Sequence, residues 1–556
     1  MIPTEPTWTP PGPGSWVCDR SHAAAAPTPL YRRIVSEHTE PVYRRVMERF
    51  GGAIGALDMQ FVNGALYRRL VPLVAPDRDN GTVPPAPVLW LVTRLHPEFR
   101  RRERTARHVF ATRSFEDDID HWVATERFEW IDANAALQAI DVAALDDAAL
   151  AGHLRHLDER LVAGWHRHHE LHANDLGPIG DLLVHTRRWG FDDVEVMSLL
   201  RGSSPATVDA ARHGAVIAAA LLRAGVDPAT ISDIAQIRAV PEASAAADDY
   251  LAGFGWRLVS DYDIGGLTLN ELPSAVVALV RRVDSGETRS GPDAPGADPD
   301  LDRMRSGSGD PALFDQLLAS ARTAYGVRDD NGPLTWAWPA GLTRRAYLEA
   351  GRRLAATGRL DDAAHAFELD IDELAAALEG AATPAAGEVG ERAATRRWEA
   401  TLDAPDVLGP TTPKPDTTPL PPSIRRMMDI ILATVGLLDP DLERPPAPLA
   451  GLGIGARTHL GTARVVDDAG EAIRTMEPGD VLVAPWTSPS FNAVLSIAGG
   501  VVVQEGGLLC HAAVMARELD IPAVIGCREA MRSIRTGDLV EVDPAAGTVR
   551  IVATVA

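Results

Sequence analysis

Two glycines, a cysteine and a histidine fall within six residues, Gly506-Gly507-Leu508-Leu509-Cys510-His511, inside the stretch VVVQEGGLLCHAAVMARELDIPAVIG. Valines 501 to 503 read as a buried strand, and the run AAVMAREL after the histidine has strong helix propensity. Gly506 and Gly507 permit positive φ and close backbone approach, as a tight strand-to-helix turn requires. His511 is therefore expected at a helix N-terminus. Unpaired backbone N–H groups and the positive end of the helix dipole favour an anion there and disfavour imidazolium. A neutral imidazole keeps a nitrogen lone pair, which a histidine needs to attack phosphorus and hold the phosphoryl group covalently. Ala512, Ala513 and Ala516 are small enough to let the helix lie close to the strand. The same residues also fit a histidine that only caps a helix beside a turn.

A second constellation lies in WHRHHELHANDLGPIGD, which holds His166, His168, His169 and His172, with Asp175 nearby. On a helix His168 and His172 share a face at i, i+4, as metal ligands would, but H-E-L-H is not the zinc-protease spacing H-E-x-x-H. A solvated or substrate-facing cluster is the expectation, with no metal site. The carboxylates of GRLDDAAHAF read as a helix N-terminal cap.

These residues must be positioned by a chain too long for one core: 556 residues suggest two or three domains. From about Pro27 to Leu378 apolar residues recur every three or four positions, as in LYRRIVSEHTEPVYRRVMERF, so this part is expected to be mainly helical. NGTVPPAP and SGETRSGPDAPGADPD interrupt it as exposed loops. DAPDVLGPTTPKPDTTPLPPS, residues 403 to 423, reads as a semi-rigid Pro/Thr-rich linker, followed by one helix over Ile424 to Leu438. After Gly451 the texture changes to short β-rich runs, ARVV, GDVLVAP, GGVVVQE, AVIG, DLVEVD and TVRIV, the last two as a hairpin in which Val540 and Val542 share one side of the first strand and Val549 and Ile551 one side of the second. The expected architecture is multidomain: a large mainly α-helical domain over 1–402, a linker and connecting helix over 403–450, and a small β/α domain over 451–556.

An apolar fraction of 46% and a charged fraction of 24% are those of an ordinary globular protein. No stretch has the length of a membrane span, and the N-terminus has no secretory pattern, so neither a membrane partner nor export is expected. Three cysteines, Cys18, Cys510 and Cys527, suit a reducing cytoplasm, and a net charge of −23 argues against a general nucleic-acid binder.

GGLLCHAAVMARELDIPAVIG, preceded by PGDVLVAPWTSPSF and followed by TGDLVEVDPAAGTVRI, resembles the swivelling phosphohistidine domain of the PEP-utilising enzymes, the family of phosphoenolpyruvate synthase, pyruvate phosphate dikinase and rifampin phosphotransferase. The resemblance runs from about Gly451 to Val552 and implies that His511 carries the phosphoryl group, with Gly506, Gly507 and Cys510 in the phosphate loop. The position before Cys510 is often a threonine in the family, phosphorylated for control in some members; here it is Leu509, which has no hydroxyl.

Four segments, PGPGSWVCDRSHAAAAPTPL, FVNGALYRR, FGWRLVSDYDIGGLTLNELP and DDNGPLTWAWPAGLTRRAYLEAGRRLAATGRLDDAAHAFELDIDEL, resemble more weakly the substrate-binding region of rifampin phosphotransferase-like members. Asp19, His22, Arg257, Asp261, Asp263, Arg344 and Arg345 lie in them, and Arg257, Asp261 and Arg345 are the substrate-binding candidates. Arginine suits phosphate or carboxylate, and a carboxylate or imidazole can take a proton from an acceptor hydroxyl. Helix packing and turn formation are the plainer roles for the same side chains.

In the family an ATP-grasp domain precedes the helical region, whereas this sequence starts at the PGPGSW segment and has no Walker-type motif. No residues after Ala556 supply a pyruvate-binding barrel, so pyruvate is not the expected acceptor. Split systems such as phenylphosphate synthase separate these parts. The resemblance implies a phosphotransferase component with no directly bound cofactor, ATP and Mg acting through a separate ATP-grasp partner, and a small organic acceptor. The alternatives are a non-catalytic binding or regulatory protein and a metal-dependent enzyme built on His166 to His172.

Overall fold

The computed structural model describes all residues except 1–4, 21–25, 76–84, 260–261, 282–298, 382–383, 412–415, 439–448, 468, 488–490 and 555–556. His22, Asp261 and most of the two loops read at 80–87 and 285–300 lie outside the described residues, as do parts of the stretch 403–450. The fold is largely helical, with a mixed sheet at the C-terminal end. No helix among the described residues is long and apolar enough to cross a membrane. The chain divides into two compact units: Met1–Gly177, Tyr262–Gly266 and Leu334–Asp429 form the first, and Pro178–Asp261, Leu267–Pro333 and Ile430–Ala556 the second.

In the first unit, helix Pro29–Phe50 starts at an N-cap, Thr28, and ends on Gly51 in the left-handed conformation. Helix Asp147–Arg188, of 42 residues, contributes its first thirty-one to this unit. Gly164 on it sits where a Cβ would lie 1.9 Å from the Thr335 carbonyl oxygen, so only glycine permits that approach. An antiparallel sheet departs from the helical expectation. It consists of β1 (Trp16–Cys18), β2 (Ile54–Val62), β3 (Ala65–Pro72) and β4 (Val407–Leu408), in the order β2-β3-β1-β4. Asn63 and Gly64, with φ of 47° and 78°, form the two-residue turn between β2 and β3, the conformation that asparagine and glycine adopt most readily. Its small core is Trp16, Tyr67 and Leu408. Residues 404–408 of the Pro-rich stretch are thus tied to this sheet: Cys18 N–H donates to the Asp406 carbonyl and Tyr67 Oη to that of Pro405.

The second unit carries the seven-stranded sheet of β5 (Leu452–Ile454), β6 (His459–Val465), β7 (Val481–Ala484), β8 (Gly500–Val503), β9 (Ala523–Ile525), β10 (Leu539–Asp543) and β11 (Thr548–Ala553), in the order β11-β10-β6-β7-β8-β9-β5. Strands β6 to β9 run parallel, and the flanking pairs are antiparallel. All six strand runs expected from the sequence are present, and β5 adds a seventh. In the terminal hairpin Val540 pairs with Ile551 and Val542 with Val549. These valines join Val481, Val483, Val502 and Val524 in one core, the near-continuous β-branched packing typical of parallel strands covered on both faces.

Helices Pro205–Arg223, Pro241–Phe254, Pro273–Arg281 and Pro311–Gly332 belong to the same unit. Gly214 lets the first of them close on the third, since a Cβ there would stand 2.6 Å from Leu279 Cγ. The helix expected over 424–438 is observed as Pro422–Leu438. Asp362 accepts from Ala364 N–H at the start of the 3₁₀ turn Ala363–Glu368, the cap role read for GRLDD.

Candidate active site

Parallel β7 and β8 are neighbours, so the chain leaves both strands at the same edge of the sheet. The loops beyond Ala484 and Val503 are therefore brought together, as at the carboxyl ends of parallel strands generally. The loop after β8 makes the turn read from the sequence. Gly506 has φ +109°, and a Cβ there would lie 2.8 Å from Cys510 Sγ and 2.9 Å from its Cβ. Cys510 N–H donates to the Gly507 carbonyl at 3.0 Å, and Cys510 takes the N-cap position of helix His511–Glu518. Its own carbonyl accepts from Val514 N–H, closing the first helical turn. Burial pushes the Cys510 thiol up, so the sulfur stays protonated at neutral pH.

His511 is the first residue of that helix and is partly buried. Burial pushes the imidazole down to about 3, so the ring is neutral through the physiological range. The sequence leads to the same neutral ring through the field of the helix; in the structure desolvation is the cause. Both ring nitrogens are engaged. Nδ1 stands 3.0 Å from Thr487 Oγ1, and Nε2 stands 2.7 Å from Asn492 Oδ1. Thr487 follows β7, and Asn492 opens the short helix Asn492–Leu495, which packs against helices Pro205–Arg223 and Pro273–Arg281.

Neither Thr487 nor Asn492 is singled out by sequence reasoning. Thr487 lies in the segment PGDVLVAPWTSPSF, but its pairing with His511, 24 residues on, depends on β7 and β8 being parallel neighbours. The signal available was the pair of valine-rich runs, each followed by a turn with polar residues.

The far end of the His511 helix is also fixed. Arg517 Nη2 donates to the Leu508 carbonyl at 2.5 Å and to Tyr325 Oη at 3.1 Å. Glu518 accepts from Gly202 N–H at 2.9 and 3.1 Å. Burial, with Asp329 adding repulsion, pushes the Glu518 carboxyl up to about 7, although the Gly202 amide and nearby Arg517 and Arg201 pull the other way.

The acceptor-side candidates are dispersed. Arg257, in the second unit, lays its guanidinium over the Phe254 ring at 4.2 Å. Arg345, in the first, donates to the Gln138 and Leu137 carbonyls at 3.0 and 3.2 Å, and burial lowers its pKa. Arg344 donates to the Ile264 and Gly265 carbonyls. Asp263 accepts from Thr28 N–H at 2.8 Å and from Thr28 Oγ1 at 2.5 Å, anchoring the cap of helix Pro29–Phe50, and burial raises its pKa. Asp19 is buried with Arg68 3.6 Å away.

The histidines of 166–172 point to different partners. His166 lies against His38, and burial lowers it to about 4. His169 sits against Trp165, its Nδ1 3.2 Å from Tyr43 Oη. His168 meets His172 edge to face, and His172 Nδ1 lies 3.0 Å from the buried Asp175 carboxylate. Among the described residues no group of three or more His, Cys, Asp or Glu is arranged to hold a metal ion.

Residues 476–547, which contain β7 to β10 and His511, match the family described as PEP-utilising enzyme, mobile domain. A rifampicin phosphotransferase of Streptomyces sp is 27% identical over 348 residues, 60% of this chain and 37% of that protein. Phosphoenolpyruvate synthase of Escherichia coli (strain K12) is 43% identical over 97 residues, 17% of this chain and 12% of the synthase. A protein of Bacillus subtilis (strain 168), named an uncharacterised phosphotransferase, is 28% identical over 246 residues, 44% of this chain and 28% of its own length. The chain therefore spans between 12% and 37% of the length of these three relatives.

Proposed function

We propose that this chain is the histidine-bearing component of a phosphotransferase. Its C-terminal domain takes a phosphoryl group on His511 and delivers it to a hydroxyl of a small organic acceptor. The observation that carries this reading is the placement of His511 at the N-terminus of an eight-residue helix, behind the Gly506 turn, within the matched mobile domain, where burial favours the neutral ring. In the first half-reaction a ring lone pair forms the N–P bond while the donor's P–O bond breaks and its oxygen leaves with the electron pair. The second half-reaction breaks the N–P bond as the acceptor oxygen attacks, and its proton passes to a base. A phosphoryl group on the ring lies beside the first amides of the helix, whose N–H groups and dipole stabilise negative charge.

The donor in this proposal is ATP, held with Mg by a separate ATP-grasp protein; one P–O bond breaks as His511 attacks and a second is hydrolysed by water, which leaves AMP and inorganic phosphate as the by-products. Movement of residues 451–556 as a swivelling domain would carry the covalent intermediate between two distant sites, and it would have to release the hydrogen bonds of Arg517 to Tyr325 and of Gly202 to Glu518. Arg257, Asp261 and Arg345 are proposed as separate candidates for contact with the acceptor, Arg257 in the second unit and Arg345 in the first, in a cytoplasmic protein. The relatives named as phosphotransferases support the chemistry.

The test is to incubate the purified chain with labelled ATP and Mg, with and without a co-encoded ATP-grasp protein, and follow acid-labile, alkali-stable label. Label on His511 only with the partner is expected. Efficient labelling without the partner overturns the division of labour, and label elsewhere overturns the role of His511. Replacing Arg257 or Asp261 is expected to raise KM for the acceptor without reducing label on His511. For Arg345, which already holds the 137–138 carbonyls, a folding assay must accompany the kinetics.

A further inference from the structure

We infer that Asn492 is a positioning residue for His511: its side-chain oxygen holds the ring proton on Nε2 and thereby decides which nitrogen carries the lone pair. The inference rests on the reading of His511 as the phosphoryl carrier, but its geometry stands apart from that reading. A neutral imidazole has one N–H and one lone pair, and the partner that can play only one role selects the tautomer. A carbonyl oxygen only accepts. Asn492 Oδ1, 2.7 Å from Nε2, therefore calls for Nε2–H. The threonine hydroxyl both donates and accepts, so Thr487 Oγ1, 3.0 Å from Nδ1, adapts to whichever form remains and here donates to the Nδ1 lone pair. The asymmetry of the site comes from Asn492.

The resting ring is thus closed at both nitrogens, and the two are released differently. Attack through Nδ1 needs only the rotation of the Thr487 hydroxyl. Attack through Nε2 needs the proton to appear on Nδ1, where Thr487 Oγ1 accepts it. The Asn492 amide must then turn to present its NH₂ group or move aside, so that the Nε2 lone pair can form the N–P bond. Asn492 begins the helix Asn492–Leu495, and that helix is packed on Pro205–Arg223 and Pro273–Arg281. The amide is consequently held from outside the sheet, and the tautomer of His511 depends on how that short helix is seated. Thr487 and Asn492 stand five residues apart, yet they reach opposite nitrogens of one ring.

The experiment uses the full chain labelled with ¹⁵N-histidine, with imidazole nitrogens read by long-range ¹H–¹⁵N correlation and His511 assigned by its loss in His511→Gln. At neutral pH the wild type is expected to show a pyrrole-type Nε2 and a pyridine-type Nδ1. Asn492→Leu should shift the tautomer ratio toward Nδ1–H by about fivefold or more, the range for removing one neutral hydrogen bond. Thr487→Val should leave Nε2–H dominant. Asn492→Asp keeps both the shape and an accepting oxygen, so it should also retain Nε2–H, and it serves if the leucine variant fails to fold. A wild type dominated by Nδ1–H, an unchanged ratio in a folded Asn492→Leu, or a reversed ratio in Asn492→Asp each overturns the proposal. Failure of the carrier reading appears separately, as absence of label on His511 in the ATP assay, and leaves the nitrogen spectra unchanged.

Discussion

His511 and the histidines of 166–172 are all helical residues, but they occupy opposite kinds of helical position. His166, His168, His169 and His172 lie in the interior of the 42-residue helix Asp147–Arg188, where every backbone amide is already committed to the helix. Their side chains have only other side chains to meet, and they meet Trp165, Tyr43, His38 and Asp175. His511 stands at a first position, at the positive end of the helix dipole, with a glycine turn behind it, and a hydroxyl and an amide oxygen on its two nitrogens. The single histidine stands at a helix N-terminus and the four do not. What distinguishes them is what the backbone offers at each position, and the number of histidines counts for little.

The largest expected effect is at His511 itself. His511→Ala should abolish phosphoryl labelling while far-UV circular dichroism is unchanged, since the side chain forms no part of the sheet core. Persistent acid-labile label in that variant would transfer the role elsewhere, and the 166–172 cluster would be the first place to look.

Next comes the turn that presents the histidine. At φ +109° a side chain on residue 506 is strained, and its Cβ would fall within 2.9 Å of Cys510. Gly506→Ala should destabilise the second unit by about 1–2 kcal/mol or more from the backbone term alone. It should also cut labelling several-fold by moving Cys510 and with it the start of the helix. Urea unfolding and initial labelling rates measure the two effects, and a variant with wild-type values for both would show that the loop geometry is not what positions His511.

The ends of the His511 helix should also titrate in opposite senses. Glu518, raised from 4.5 to about 7, contributes stability that is present below 4.5 and lost as pH rises through about 7. His511, lowered from 6.5 to about 3, contributes stability present above 6.5 and lost as pH falls toward 3. Between 4.5 and 6.5 the two oppose one another, and above 6.5 Glu518 acts alone. Thermal unfolding of the wild type should therefore weaken between pH 6.5 and 7.5, and Glu518→Gln, which still accepts from Gly202 N–H, should remove that weakening. An equal slope in both proteins would exclude Glu518 as its source.

Where local chemistry decides the structure, the sequence was readable. The β-branched runs after Gly451 are punctuated by glycine, proline and aspartate, and each became a strand; the Ala-rich run after His511 became the helix. Hairpin Ile54–Pro72 falls within the helical expectation for residues 27–378, although Asn63-Gly64 is a strong turn signal. Its strands, IGALDMQFV and ALYRRLVP, are poor in β-branched residues, and their stability comes from β1 and the packing of Trp16, Tyr67 and Leu408. Strand β4 was hidden for a related reason: Val407 and Leu408 sit in a Pro-rich stretch and become a strand only by pairing with Trp16 and Val17, some 390 residues earlier. The site divides along the same line. His511 and Gly506 are legible from their neighbours in sequence, whereas Thr487 and Asn492 acquire roles only once the order of parallel strands is known.

The smallest expected effect on chemistry is in the histidine-rich helix, and it is the one that isolates the comparison. In the double variant His168→Ala, His172→Ala the edge-to-face pair and the contact to Asp175 are both lost. Asp175 is fully buried, so removing its imidazole partner leaves a carboxylate less well satisfied in a poorly solvated position. A stability loss of about 1–3 kcal/mol is expected. Labelling of His511 should stay at the wild-type level, because the chemistry proposed for His511 draws on Gly506, Thr487, Asn492 and the helix amides and on nothing from 166–172. Denaturant midpoints and the ATP labelling assay, run on the same preparations, separate the two quantities. If label falls in proportion to the folded fraction, the cluster is structural. If it falls by an order of magnitude in fully folded protein, these histidines take part in the transfer, and the contrast between one histidine at a helix start and four in a helix interior no longer holds.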